Sequence, residues 1–246
     1  MQQLSGKVAL VTGGSRNIGR AIAHALAAAG ANIAVVGRRD ADAANAVAVE
    51  LRACGVKAES FLADVANEDD VRRAVTAAVA HFGRLDILVN NASVRTEMPF
   101  ADLTLRAWRE VIGVALDGAF LCSRTALPHL AASGAGAIVN IGGLTAYTGA
   151  KHRAHVIAAK AGLDGLTRAL AVELAPLNIT VNLVAPGLIA TARSGAAPNH
   201  HQHSGTLAGR RGTPEEVAAM VCYLAGPAAR FITGQTIHVN GGAYLG

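Results

Sequence analysis

The chain has few cysteines, few aromatic residues and little charge of either sign. Three cysteines, Cys54, Cys122 and Cys222, are scattered without a CxxC pair, which argues against a disulfide framework or a zinc knuckle and leaves them as small buried hydrophobes. Charged residues make up 16% and aromatics 4%, and the net charge of +5 is spread along the chain. Without a Lys/Arg run or interleaved aromatics, nucleic acid is not an expected partner, and a basic pocket for a phosphorylated small molecule is the better expectation. No segment gives about 18 uninterrupted apolar residues, and the start shows no basic stretch followed by an apolar run. A cytoplasmic protein without a membrane span is therefore expected.

What is present is apolar and periodic. With 52% hydrophobic residues over 246 positions, the chain should bury roughly 70 to 75% of its unfolded surface. Short β-branched runs such as VALVT, IAVVG, DILVNNA, AIVNIGG and ITVNLVAPG alternate with Ala-rich segments at helical period. Continuous apolar strands separated by helices predict parallel strands covered on both faces. The expected fold class is α/β, a Rossmann-like doubly wound parallel sheet of about seven strands. A single domain over residues 1–246 is expected. The longest stretch without periodicity, residues 190–212, is expected to be a substrate loop.

Strand VALVT leads into TGGSRNIG at residues 12–19 and then a helix, where glycines let the backbone approach a pyrophosphate at a helix N-terminus. Gly13, Gly14 and Gly19 do not follow the GxGxxG spacing. The second strand ends in VVGRRD, with Gly37 where an acid for the ribose 2′-hydroxyl would stand. Arg38, Arg39 and Arg16 are instead suited to a 2′-phosphate, so NADP(H) is expected in preference to NAD(H).

These motifs together make the sequence resemble the short-chain dehydrogenase/reductase family over almost its whole length. TGGSRNIG is similar to the family's TGxxxGIG loop, with Asn17 in place of its glycine. NNAS at 90–93 resembles its NNAG. LADV at 62–65 is similar to its adenine-contacting Asp-Val, and APG at 185–187 with Ile189 and Thr191 resembles its PGxxxT loop. The resemblance implies cofactor contacts from Gly13, Ser15, Arg16, Asn17, Ile18, Gly19, Arg38, Arg39, Asp64, Val65, Asn91, Ala92, Lys160, Pro186, Gly187 and Ile189. FITGQTIHVNGG resembles the C-terminal strand of the family's tetramers and implies a homotetramer or homodimer.

Lys160 lies in KHRAHVIAAKAG, a mostly small and apolar stretch where a charge needs a partner or a task. The family pairs this lysine with a tyrosine four residues earlier, a serine and an asparagine. Here Val156, Gly143 and Ala115 occupy those places, and none of them can relay a proton. The usual carbonyl-reductase route is therefore not expected, and Lys160, Tyr147 and His155 are the catalytic candidates. HVIAAKAG also resembles the dienoyl-CoA reductase branch, some of whose members carry a histidine where His155 stands. That branch would need no tyrosine, because charge moves away along a conjugated double bond. Arg95 and Glu97 are candidates for meeting an acidic substrate group, and NHHQH at 199–203 lacks the partners of a metal site, so no metal is expected. Three functions remain open: an oxidoreductase with a non-standard proton donor acting on a small molecule, an inactive NADP(H)-binding sensor or partner subunit, and a non-redox enzyme reusing the cleft.

Overall fold

The computed structural model describes residues 3–191 and 205–246. Its strands are β1 (Val8–Thr12), β2 (Asn32–Gly37), β3 (Ala58–Leu62), β4 (Ile87–Asn90), β5 (Ala137–Ile141), β6 (Thr180–Pro186) and β7 (Thr236–Val239). They form one parallel sheet in the order β3-β2-β1-β4-β5-β6-β7. The chain winds outward from the centre in both directions, so the order reverses between β1 and β4. That reversal opens a crevice at the carboxyl ends of the strands, where open α/β sheets place their ligands.

Two helical layers cover the sheet. Helices α1 (Asn17–Ala28), α2 (Ala41–Ala53) and α8 (Pro214–Ala225) pack on one face. Helices α3 (Glu68–Phe82), α5 (Gly118–Ala132) and α7 (Ala154–Leu174) pack on the other. Strand periodicity explains the division: Ala9 and Val11 of β1 join the first core, and Val8 and Leu10 join the second. All five β1 residues are buried, which accounts for the continuous apolar run in the sequence. Side-chain caps set several helix starts. The Asp40 carboxylate accepts from the Ala43 amide, Asn67 accepts from the Asp70 amide, and Thr213 forms a capping box with Glu216.

The helical stretch over residues 105–132 is interrupted. It consists of α4 (Leu105–Ile112), a π-helical segment (Gly113–Asp117) and α5. At its end Gly118 presses on Val65, where an added Cβ would lie 2.8 Å from the Val65 side chain. The composite helix Leu105–Ala132 is long and apolar enough to span a membrane by length and composition. Half of that window is buried inside the protein, against α3 and α7. The cysteine expectation needs one correction: Cys54 is exposed, because it caps α2 at the surface, whereas Cys122 is buried and its thiol is pushed up to about 12 by burial.

The remaining helix, α6 (Thr145–Thr148), is a single turn after β5. The expected substrate loop is closed at its base. Ile189 pairs with Gly212, the Ala190 amide donates to the Gly212 carbonyl at 2.8 Å, and the Gly212 amide donates to Leu188 at 2.9 Å. NHHQH lies outside the described residues.

At the opposite end of the sheet, the 1% exposed Asp86 carboxylate accepts from Lys7 at 2.9 Å, from Arg84 at 2.6 and 2.8 Å and from the Val8 amide at 3.0 Å. Burial raises its pKa, but these donors outweigh it and hold the carboxyl below its ordinary value. Asp86→Asn should destabilise the protein by roughly 2 to 3 kcal/mol, the lower edge for a broken buried pair because Lys7 and Arg84 keep water contact. A depressed carboxyl stabilises above its unfolded pKa, so the gap between wild type and variant should be full at pH 7. It should close as pH falls below about 4. Denaturant titrations at several pH values check this, and a gap that does not change with pH would assign the effect to packing.

Candidate active site

The turn from β1 into α1 forms the floor of a groove of about 630 Å³. Gly13 has φ +62, and Asn17 holds φ +49, a left-handed conformation that asparagine tolerates where the family has glycine. The main constraint is at Gly19. A Cβ there would lie 2.1 Å from the Gly13 carbonyl oxygen and 2.5 Å from Asn91 Nδ2. The Asn91 amide in turn donates to the carbonyls of Thr12 at 2.9 Å and Gly13 at 3.1 Å. Thr12 Oγ1 accepts from the Asn91 and Ala92 amides and donates to Val89, tying the loop after β4 to the loop after β1.

Helix α1 begins at this groove with Arg16 as its N-cap, no side-chain cap bond and no acidic residue in its first turn. Amides left open at a positive helix end suit an anion. Ser15, Arg16, Asn17 and Ile18 line the groove together with Val65, Ala92 and Arg38. Arg38 bonds Asp64, Nε to Oδ2 at 2.9 Å. Asp64 therefore faces Arg38 and the Ala66 amide while its neighbours Ala63 and Val65 form the wall. Arg39 is exposed and does not line the groove, because β2 ends at Gly37 and the chain turns outward before α2. The groove therefore fits an adenine dinucleotide: a glycine cradle, open helix amides, and two arginines at the end expected for the 2′ position.

A smaller inner cavity of about 200 Å³ adjoins it. Lys160, Val156, Gly143, Pro186, Gly187 and Ile189 line it with Arg95 and Arg153. Lys160 is 6% exposed, and its Nζ donates to the Ile141 carbonyl at 2.5 Å. Burial, with the Arg95 and Arg153 guanidiniums adding to it, lowers its pKa to about 7. Val156, one turn earlier, packs with Val111, Ala115 and Ala159 in a small apolar cluster. Gly143 has nothing within 4 Å of where a Cβ would stand.

The other two catalytic candidates are not brought to this cavity. Tyr147 turns toward β7: its hydroxyl donates to Thr236 Oγ1 at 3.4 Å and its ring packs on His238 and Tyr244. It sits on the one-turn α6, whose Thr145 and Thr148 face the cavity instead. His155 is fully buried with its Nε2 2.8 Å from Thr96 Oγ1. Five positions before Lys160 on a helix is roughly 140° around the axis, so the two point apart. Burial, and secondarily Arg153, lowers the His155 pKa and favours the neutral ring. Arg95 lines both the groove and the cavity, whereas Glu97 lines neither.

A polar chain under the site was passed over in the sequence. Asn90 Nδ2 donates to Asn140 Oδ1 at 2.8 Å and to Ser123 at 3.1 Å, and Asn140 donates to Thr167 at 2.9 Å. The available signal was an asparagine recurring inside apolar strands, in ILVN, AIVNI and TVNLV.

A family profile described as Enoyl-(Acyl carrier protein) reductase matches residues 13–244. The chain is 40% identical to a 3-oxoacyl-[acyl-carrier-protein] reductase of Staphylococcus aureus strain Mu50, over 97% of this chain and 98% of that protein. The chain belongs to the short-chain dehydrogenase/reductase family. A second relative, the 3-oxoacyl-[acyl-carrier-protein] reductase of a Synechocystis species, is 40% identical over the full length of both. Among solved structures, a dehydrogenase/reductase from Sinorhizobium meliloti 1021 matches with TM-score 0.94 and 37% identity, covering 99% of this chain and 97% of the other. A short chain dehydrogenase from Burkholderia cenocepacia J2315 in complex with NADP matches with TM-score 0.92 and 39% identity, over 98% and 99%. As a short-chain dehydrogenase/reductase, the protein is an oxidoreductase that uses a nicotinamide dinucleotide.

Adding one methyl at Gly19 should cost roughly 3 kcal/mol, because the Gly13 carbonyl and the Asn91 amide must both move. Gly19→Ala should also weaken NADPH binding about tenfold or more in a fluorescence titration. Wild-type affinity and Tm in the variant would remove the close approach from the account of the site.

Proposed function

We propose that the protein is an NADP(H)-dependent oxidoreductase in which Lys160, and not a tyrosine, supplies the proton, acting on an activated carbonyl or a conjugated double bond. The observation that carries this reading is the state of Lys160. Among the described residues lining the inner cavity, it is the group whose pKa lies near neutrality, at about 7. A general acid works best when its pKa is close to the working pH. The positions resembling the family's tyrosine and asparagine are filled by Val156 and Ala115, which pack against each other's apolar cluster, and Gly143 leaves the serine position without a hydroxyl. A bound nicotinamide would supply the hydride. Lys160 holds the balancing proton at Nζ, with the Ile141 carbonyl orienting the ammonium toward one side, and regains it from solvent. A small-molecule substrate, a cytoplasmic location and a homotetramer or homodimer complete the reading.

Preference for NADP(H) rests on Gly37 in place of an acid and on Arg16 and Arg38 in the groove. The similar Burkholderia dehydrogenase, in complex with NADP, supports it. NADPH should bind about tenfold tighter than NADH, and Arg38→Leu should remove most of that ratio. Equal affinities in wild type would overturn the preference.

The catalytic reading is tested by single-turnover NADPH oxidation with ketones, enones and enoyl thioesters. Reduction needs the ammonium form, which exists below about pH 7, so the rate should be high at pH 6 and fall as pH rises through about 7. Lys160→Met should lower it about a hundredfold, within the range of acid catalysis, while Tyr147→Phe stays near wild type. A Lys160→Met variant with full activity would discard the assignment. Tight NADPH binding with no turnover on any substrate would favour the inactive sensor.

A further inference from the structure

Hydride arrival at a carbonyl carbon puts negative charge on the oxygen, and a fixed hydrogen-bond donor facing that oxygen is among the largest contributions to the rate. Among the described residues, Lys160, Arg95, Arg153, Thr145 and Thr148 are the polar side chains lining the inner cavity. Arg95 and Arg153 already have interaction partners. The single Thr148 hydroxyl proton is shared between the Leu144 carbonyl at 3.5 Å and the Gly149 carbonyl at 3.2 Å. Lys160 gives one ammonium proton to the Ile141 carbonyl. Thr145 differs from all of these: among the described residues its hydroxyl has no hydrogen-bond partner, so its proton is available to a ligand. The chain places it there for a local reason. Strand β5 ends at Ile141, two glycines follow, and α6 makes one turn. Residues three apart on a helical turn share a face, so Thr145 and Thr148 line the cavity while Tyr147 packs on His238. Gly143 keeps the space beside that turn open, since a Cβ there would meet nothing within 4 Å. Val156 adds aliphatic carbon to the wall, and a hydrogen bond is stronger in surroundings of low polarity.

We propose that Thr145 is a catalytic residue whose hydroxyl donates a hydrogen bond to the carbonyl oxygen of a small ketone, in the space left open by Gly143. The cavity of about 200 Å³ is below the range of drug-sized pockets and suits such a substrate. The carbonyl carbon gains the hydride from NADPH, and the carbonyl π pair moves onto the oxygen. That oxygen takes a proton from Lys160 Nζ, leaving the amine, and the products are the secondary alcohol and NADP⁺. Thr145 keeps its own proton throughout; it holds the oxygen in place and stabilises the charge before the proton arrives. The assignment rests on the oxidoreductase reading above and narrows it to carbonyl reduction, but the hydrogen bond itself can be observed without turnover.

The test uses cyclohexanone with NADPH for turnover, and carbonyl-labelled cyclohexanone in the NADP⁺-saturated protein for infrared difference spectroscopy. Thr145→Val exchanges the hydroxyl for a methyl of the same shape. It should lower kcat about a hundredfold with KM changed far less, at unchanged Tm and with NADPH affinity within about twofold. Its pH midpoint should stay at about 7, because that midpoint belongs to Lys160. Thr145→Ser should keep most of the rate. Adding Gly143→Ser to Thr145→Val should recover about tenfold, since a serine there brings a hydroxyl to the same space without a clash. The bound carbonyl band should lie at lower frequency in wild type than in Thr145→Val, because a hydrogen bond weakens the C=O bond. A wild-type rate in Thr145→Val, an absent or unshifted carbonyl band, or a loss that neither serine variant restores would overturn the proposal. A band shift without NADPH oxidation keeps the Thr145 contact and sinks the redox reading. Oxidation with an unshifted band keeps the redox reading and sinks the contact.

Discussion

The site depends on one close approach, that of Gly19 in the first turn of α1 to the Gly13 carbonyl, locked from the other side by the Asn91 amide. This contact joins the loops after β1 and β4, the two strands between which the sheet reverses its order. With them held together, the α1 amides, Arg16 and the wall from Val65 to Arg38 fall around a single groove. The Thr12 hydroxyl strengthens the same junction by serving two amides and one carbonyl. A parallel sheet buried on both faces leaves its strand ends as the one place where backbone polar groups and ligands can meet.

Lys160 shows how a fold can keep a charge in mostly apolar surroundings. The lysine lies at the inner end of the crevice, buried, with the Ile141 carbonyl as its hydrogen-bond acceptor. Two guanidiniums nearby add repulsion to the desolvation penalty. These surroundings lower the pKa of the ammonium to about 7, close to neutral pH. Val156 and Ala115 pack with Val111 and Ala159 in one apolar cluster.

The sequence was legible where a requirement is local. The glycine-rich turn after an apolar strand and the helix-period alanines both depend on neighbours a few residues apart. Helices α7 and α8 fall in the segments of helical period between the apolar runs. Directions of side chains were not legible. Tyr147 belongs to a single helical turn whose alternate positions face different elements, and only packing against His238 and Tyr244 decides which way it points. Arg39 differs from Arg38 by one position and both are exposed, but only Arg38 lies along the groove, bonded to Asp64. The π-helical segment was also invisible, since one extra residue per turn leaves the apolar period of the flanking helices unchanged.

The sequence by itself determined the fold class, the family, the nucleotide loop and the fact that Val156 stands four residues before Lys160, because each is a matter of residue identity at fixed chain spacing. Only the tertiary structure decided that His155 and Tyr147 turn away from Lys160 and that Arg95 and Arg153, 58 positions apart in the chain, share its cavity. Those arrangements are set by contacts between separate helices and loops, and the energy of such contacts depends on distance in space, which the order of residues does not contain.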